Sequence, residues 1–596
     1  MYQSFKATTR PEQGPPRLRA LREEMAREGL DGFLVPRADA HQGEYVAPRD
    51  ERLAWLTGFT GSAGFAVVLR EVAGVFVDGR YTVQARAQLA EVFTPVDWPA
   101  TRPGAWLREH LPHGGAVGFD PWLHAVDEIA RLRAALEGSG ITLRESANLV
   151  DRIWEDQPAP PEGAVTPYPD ALAGESAADK RARLAQDLRA AGHRAAVITL
   201  PDALCWLLNI RGTDIPRIPV AHGFAILHDD GRVALFMAPA KLAGVAPGDG
   251  VEVQAPEAFL PALGALRGRV RLDPASAPVA VARALEHGGA EVDHGRDPCL
   301  LPKATKTRAE IRGAEEAHLR DGAAMCEFLA WLDEQAPGSL TEIGAARQLE
   351  ECRRATGELR DISFDTISGA GPHGAIVHYR VTEETDRPLN AGELYLVDSG
   401  GQYLDGTTDI TRTVAIGDPG AEERACYTRV LQGLITVSRL RWPEGLAGRD
   451  LDALARMPLW LAGQDYAHGT GHGVGAYLSV HEGPQRLART GEEPLKPGMI
   501  LSNEPGFYRE GAFGIRLENL VVVEEAPELP GGNVARMLRF QTLTHVPFDR
   551  HLVDADMLHG PERAWLNAYH ALCRSKIGPR LGNRAKTWLD AAAAPI

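Results

Sequence analysis

The stretch Glu393-Leu-Tyr-Leu-Val-Asp-Ser-Gly-Gly-Gln-Tyr-Leu-Asp-Gly-Thr-Thr-Asp-Ile-Thr-Arg-Thr-Val-Ala-Ile416 reads as two extended runs around a glycine-rich turn. The midpoint between Asp398 and Asp409 falls between Tyr403 and Leu404, inside the turn. A symmetric hairpin therefore places these two carboxylates opposite one another on one face. Like charges so opposed destabilise a sheet unless a cation lies between them.

The pattern recurs downstream in Asn503-Glu504-Pro-Gly-Phe-Tyr-Arg-Glu-Gly511-Ala-Phe-Gly-Ile-Arg-Leu-Glu518-Asn519, where the midpoint between Glu504 and Glu518 is Gly511. Two hairpins with facing carboxylates predict one oxygen-rich metal site built from two related halves. Between them lies His468-Gly-Thr-Gly-His472-Gly-Val-Gly475, followed by His481-Glu482-Gly-Pro484. The i, i+4 spacing of His468 and His472 imitates a helical zinc motif, but four glycines between 469 and 475 oppose a helix, so both need not bind metal. His472 with four carboxylates suits hard or borderline ions, Mn²⁺ best, with Co²⁺ or Zn²⁺ as alternatives. Four carboxylates and a bridging hydroxide match two divalent ions to within one unit of charge, which Arg516, on the face of Glu518, would balance.

Farther out, Thr307-Arg-Ala-Glu310 is a capping-box pattern, and Met325, Phe328, Leu329 and Leu332 form one apolar helical face. Breaker-rich stretches at 157–170 and 294–307 divide the 596 residues into three domains, 1–156, 157–302 and 303–596, with a C-terminal extension from about 539. The first two share an internal echo. Arg52-Leu-Ala-Trp55 precedes the strand Gly64-Phe-Ala-Val-Val-Leu69, and Asp202-Ala-Leu-Cys-Trp206, with its Trp 151 residues later, precedes Gly223-Phe-Ala-Ile-Leu227. A duplicated α/β domain is expected. In the extension, a helical run around Trp565, Tyr569 and Leu572 is expected to pack on the third domain.

A net charge of −16 without a Lys/Arg stripe argues against a nucleic-acid partner, and no 18-residue apolar run predicts a membrane span. Residues 1–30 offer no apolar signal-like core, so a cytoplasmic protein is expected. Six cysteines at wide spacings suggest neither a disulfide framework nor a thiolate zinc site.

These motifs, with Gly371-Pro-His-Gly-Ala-Ile-Val-His378-Tyr379, Phe59-Thr-Gly-Ser-Ala-Gly64 and Asp78-Gly-Arg-Tyr81, resemble the pita-bread metallopeptidases, and among them the three-domain cytosolic aminopeptidase P group. Gly401 and Asn503 depart from the family pattern without displacing a ligand position. The resemblance implies two creatinase-N-like α/β domains followed by a pita-bread catalytic domain. It implies metal ligands Asp398, Asp409, His472, Glu504 and Glu518, with Asp409 and Glu518 bridging two ions. It implies hydrolysis of the Xaa-Pro bond at a peptide's N-terminus by a bridging hydroxide, with Glu504 carrying the proton to the leaving nitrogen. By the same resemblance His378, His468 and His481 contact substrate, His378 and His481 also acting in catalysis, Arg80 reaches substrate, and the protein is a homodimer. The alternatives are a prolidase, which cleaves dipeptides, and a non-catalytic peptide- or histone-binding module; chain length and the complete ligand set oppose them.

Overall fold

The computed structural model describes residues 2–596, which separate into two compact units, Thr8–Leu300 and Leu301–Ile596, the latter joined by the residues up to Ala7. The fold is α/β throughout. In the first unit, six strands, β1 (Gly32–Pro36), β2 (Phe65–Leu69), β3 (Ala73–Val77), β4 (Thr94–Asp97), β5 (Gly115–Phe119) and β6 (Ile141–Glu145), lie in the order β4-β3-β2-β1-β5-β6. A second set, β7 (Ala195–Ile198), β8 (Phe224–His228), β9 (Val233–Phe236), β10 (Val251–Gln254), β11 (Arg269–Leu272) and β12 (Glu291–His294), lies in the order β10-β9-β8-β7-β11-β12. The two sheets match pair for pair: the first strand runs antiparallel to the second and parallel to the fifth in both.

The repeat goes deeper than the echo around Trp55 and Trp206. Asp120-Pro121 to Val126 and Asp273-Pro274 to Val279 are equivalent segments, offset by 153 residues, and they pair with each other. Val126 N donates to Ala277 O (3.1 Å) and Val279 N to His124 O (3.0 Å); Asp127 N donates to Pro274 O (2.9 Å) and Ala280 N to Pro121 O (3.0 Å). Each bond has its symmetry mate, as in the contact of a two-fold dimer, although both halves belong to one chain.

The second unit starts on the capping box: Thr307 Oγ1 accepts from Glu310 N (3.2 Å) and Glu310 Oε2 from Thr307 N (2.8 Å). The helix it opens, Arg308–Asp333, buries Met325, Phe328, Leu329 and Leu332. Residues before Thr8, counted with the first domain in the sequence reading, pack here instead: Phe5 is buried beside Tyr379, and Gln3 exchanges hydrogen bonds with Thr366. Strands β13 (Ile367–Ala370), β14 (Glu393–Ser399) and β15 (Ile410–Ile416) form an antiparallel sheet with β14 central. A six-stranded sheet includes β16 (Gly471–Gly473), β17 (Glu482–Leu487), β18 (Ile500–Asn503), β21 (Asn519–Glu525) and β22 (Met537–Thr542), and β19 (Gly506–Arg509) with β20 (Phe513–Arg516) makes a hairpin between β18 and β21.

The C-terminal extension expected from about 539 opens inside β22, which is hydrogen-bonded to β21, and continues into two helices, Gly560–Ile577 and Asn583–Ala592, the first carrying Trp565, Tyr569 and Leu572. Leu572 is 46% exposed; the packed face of its helix is Leu566, Tyr569, His570, Cys573 and Ile577, the i, i+3, i+4, i+7 stripe that Leu572 misses by one position. All six cysteines are free thiols, five of them buried.

Candidate metal centre

The β14–β15 hairpin closes one residue later than its sequence suggests. Asp398 pairs with Thr411 and Ser399 with Ile410, and beyond them Gln402 pairs with Thr407 and Tyr403 with Gly406. The turn is thus Leu404-Asp405, held where Arg320 clamps Asp405 with two bonds of 3.0 Å. Asp398 and Asp409 are diagonal neighbours on one face rather than direct opposites. The place opposite Asp398 goes to Thr411, whose Oγ1 donates to Glu518 Oε2 (2.9 Å).

The β18–β21 hairpin keeps the symmetric register. Asn503 pairs with Asn519 and Gly506 with Arg516, centring the loop on Gly511, whose φ of +77° favours glycine. Glu504 and Glu518 therefore stand opposite one another. Their backbones tie the hairpin to the other elements: Glu504 N donates to Thr470 O (2.8 Å) and Glu518 N to Thr411 O (3.2 Å).

His472 sits in the short strand β16, where a Cβ on Gly471 would lie 1.9 Å from Ser502 O, so only glycine admits this approach to β18. Its Nδ1 faces Gly473 O at 3.0 Å, which turns Nε2 toward Asp409 Oδ2 (3.5 Å) and Glu504 Oε1 (3.4 Å). A ring whose Nδ1–H is held by a carbonyl presents a lone pair at Nε2, the state a metal ligand needs. Ser502 Oγ donates to Glu504 Oε1 (3.0 Å).

Asp409, His472 and Glu518 each offer a ligand atom within 4.8 Å of the others. Asp398, Asp409 and Glu518 are 7%, 3% and 1% exposed, and each leaves one buried oxygen, Oδ1, Oδ1 and Oε1, with no hydrogen-bond partner among the described residues. Buried carboxylate oxygens without partners are costly, and three in one place fit a site that cations complete. Burial pushes the Asp409 carboxyl well above the usual range, with Asp398 and Glu504 adding to it. Glu518 rises likewise through burial and then Asp409 and Glu504, and Glu504 is raised by burial against the pull of His472 and Arg516. A divalent ion would oppose each shift by favouring the charged carboxylates.

Arg516, 1% exposed, donates to Asp398 Oδ2 (2.7 Å) and to Tyr508 OH (2.7 Å). Tyr508 OH also meets His468 Nε2 at 2.8 Å, so Asp398, Arg516, Tyr508 and His468 form one chain of polar contacts. Burial pushes the Tyr508 phenol up to about 12, keeping it neutral. The sequence reading did not single out Tyr508. Its signal was parity: 504, 506 and 508 share one face of the hairpin with 514, 516 and 518.

His481 lies edge-to-face on His472 with ring centroids 4.3 Å apart. His378 is half-buried in the turn after the 3-10 helix Gly371–Ala375, which packs on β20. Arg80 belongs to the first unit, where Asp78 holds its guanidinium through bonds of 2.9 and 2.7 Å.

Residues 312–525 match the family described as metallopeptidase family M24, and 536–596 match the C-terminal region of peptidase M24. Two further segments, 17–153 and 156–310, each match the creatinase/prolidase N-terminal domain. Aminopeptidase P2 of Arabidopsis thaliana is 38% identical over 617 residues, covering 95% of this chain and 86% of that protein. Aminopeptidase P1 of Lotus japonicus is 36% identical over 97% of this chain and 99% of its own. Among solved structures, the X-prolyl aminopeptidase of Caenorhabditis elegans, described as a cytosolic enzyme with a di-nuclear active site, superposes with a TM-score of 0.92 at 34% identity, over 98% of this chain and 99% of that one.

Proposed function

Because this chain belongs to metallopeptidase family M24, alongside the full-length aminopeptidases P, we propose that it is a metal-dependent aminopeptidase that releases the first residue from peptides with proline in second place. The observation that carries the reading is the cluster of Asp409, His472 and Glu518, whose ligand atoms lie within 4.8 Å of one another, with a buried, unpartnered oxygen on each of the two carboxylates. Asp398, Asp409, His472, Glu504 and Glu518 would hold two divalent ions, and the donor set of four carboxylates and one imidazole favours Mn²⁺ over Zn²⁺ or Co²⁺. When bound, such ions supply Lewis acidity for the scissile carbonyl and an activated water.

The chain's own residues do the rest. An Xaa-Pro bond is a tertiary amide whose nitrogen leaves only when protonated. Glu504, which accepts from Ser502 Oγ (3.0 Å) and lies 3.4 Å from His472 Nε2, would carry that proton. His378, His468 and His481 would hold the substrate, His378 and His481 acting on the oxyanion as it forms. His468 is braced by Tyr508 on its Nε2 and by Gly469 O, 2.7 Å from its Nδ1. Arg80 is assigned to the substrate's remoter contacts. The nematode relative's description supports a cytoplasmic setting, and no described helix is long and apolar enough to cross a membrane. A homodimer is supported by Met457, Trp460 and Leu461, 47%, 43% and 83% exposed, which leave an apolar patch at the end of the helix Gly448–Trp460.

The deciding experiment strips the protein of metal and assays Arg-Pro-Pro, Arg-Ala-Ala and Arg-Pro with and without Mn²⁺. Release of Arg from Arg-Pro-Pro alone, dependent on Mn²⁺, is expected. Preference for Arg-Pro would make the chain a prolidase, and no turnover with any divalent ion would leave a binding module.

A further inference from the structure

The stretch 294–307 has a linker's composition, yet Lys303 and Lys306 are among the most buried lysines of the chain, 1% and 5% exposed. Both converge on Glu482, itself 3% exposed: Lys303 Nζ lies 2.8 Å from Oε2, and Lys306 Nζ bonds Oε1. Lys306 Nζ also donates to Lys303 O (2.9 Å), and Lys306 N donates to Gly498 O (3.0 Å), two residues ahead of β18. One ammonium neutralises one carboxylate. A second buried ammonium on the same carboxylate adds a desolvation cost of its own.

Its consequence is positional. Glu482 pairs across the sheet with Gly473, and a Cβ on Gly475 would come within 3.0 Å of Glu482 Oε2, so the carboxylate fills the space behind the glycine loop. His481 precedes Glu482 and His472 precedes Gly473, and the two imidazoles are in contact at 4.3 Å and 75°. Lys306 Nζ hydrogen-bonds one oxygen and Lys303 Nζ stands 2.8 Å from the other in a charge contact, so the carboxylate is restrained from both sides.

We propose that Lys303 and Lys306 are positioning residues of the metal centre: by clamping Glu482 they hold the β16–β17 hairpin so that His472 keeps its Nε2 on the carboxylates and His481 its place beside it. The proposal rests on the metal-centre reading above.

Two variants test it, followed by Co²⁺ titration with the visible absorption spectrum as readout and by steady-state hydrolysis of Arg-Pro-Pro. Lys306→Met leaves the neutral Lys303–Glu482 pair. The triple variant Lys303→Met, Lys306→Met, Glu482→Met removes every charge at near-constant volume, an exchange that folded proteins commonly tolerate. Both are expected to unfold cooperatively, to bind Co²⁺ about 10- to 100-fold more weakly with an altered spectrum, and to lose kcat by a similar factor. KM is expected to stay within about threefold of the parent, because the clamp does not touch substrate. Parent-like Co²⁺ affinity and spectrum in Lys306→Met overturn the proposal. If Lys306→Met does not fold, the triple variant decides by the same criterion. If the parent itself neither binds Co²⁺ nor cleaves Arg-Pro-Pro, the metal-centre reading falls and this proposal with it, whereas an active parent with unchanged variants removes this proposal alone.

Discussion

Arg516 and Tyr508 illustrate how single residues set the centre's electrostatics. A guanidinium buried among four carboxylates is stable there because Asp398 and the Tyr508 hydroxyl accept its protons at 2.7 Å. Tyr508→Phe removes the hydroxyl shared with His468 and leaves the buried Arg516 and the half-buried His468 each short of one partner, a change of about 1–3 kcal/mol. We expect kcat/KM to fall roughly 10-fold or more while the fold survives, as steady-state kinetics and circular dichroism would report. The carboxylates make a second prediction. Asp409, Glu504 and Glu518 have raised pKa values in the metal-free protein, so the native state binds more protons than the unfolded chain. Their contribution to stability is full below the unfolded values and is lost as pH rises through the folded ones. Bound metal favours the charged carboxylates and opposes the shifts, so the gap in melting temperature between metal-loaded and metal-free protein should widen as pH rises above the ordinary carboxylate range. A constant or narrowing gap would contradict the assignment of these residues as ligands.

At the scale of elements, helix Gly560–Ile577 separates residues that composition treats alike. Leu566 is fully buried and Leu572 faces solvent. Leu566→Ala should cost about 2–5 kcal/mol, and Leu572→Ala should stay within about 0.5 kcal/mol, measured by denaturant unfolding. The same helix reaches the centre indirectly. Tyr569 OH meets the guanidinium of Arg412 at 3.1 Å, and Arg412 Nη1 donates to the carbonyl of Glu518 (2.6 Å). The late helices thereby support the link between β20 and β21 that carries Glu518. That support is invisible in spacing, since residues 412 and 569 meet only through packing.

At the scale of the whole molecule, the first unit is a two-fold dimer written into one chain. The amides of Val126 and Val279, and of Asp127 and Ala280, make equivalent bonds at the seam, so hydrogen exchange should show them protected in matched pairs and released together when that unit opens. Exchange of one member far ahead of its mate would mean the symmetry is formal and not energetic. The patch of Met457, Trp460 and Leu461 predicts a concentration-dependent dimer. Leu461→Asp, a change at an 83% exposed position, should shift the sedimentation coefficient toward the monomer without loss of fold.

The sequence by itself determined the constellation: alternating carboxylates about glycine turns, a glycine-flanked imidazole, and an echo of Trp55 at Trp206 identify a metal site and a duplication, because periodicity and turn chemistry are local properties. The register of the second hairpin was legible for the same reason, Gly511 being the one residue of its loop with positive φ. The first hairpin was not, because Arg320, from a distant helix, decides where the Leu404-Asp405 turn closes. Tertiary structure alone brought Tyr508 to His468, Arg412 to Glu518 and two linker lysines to Glu482, since a buried charge takes whatever partner the packing supplies, and that partner has no fixed distance along the chain.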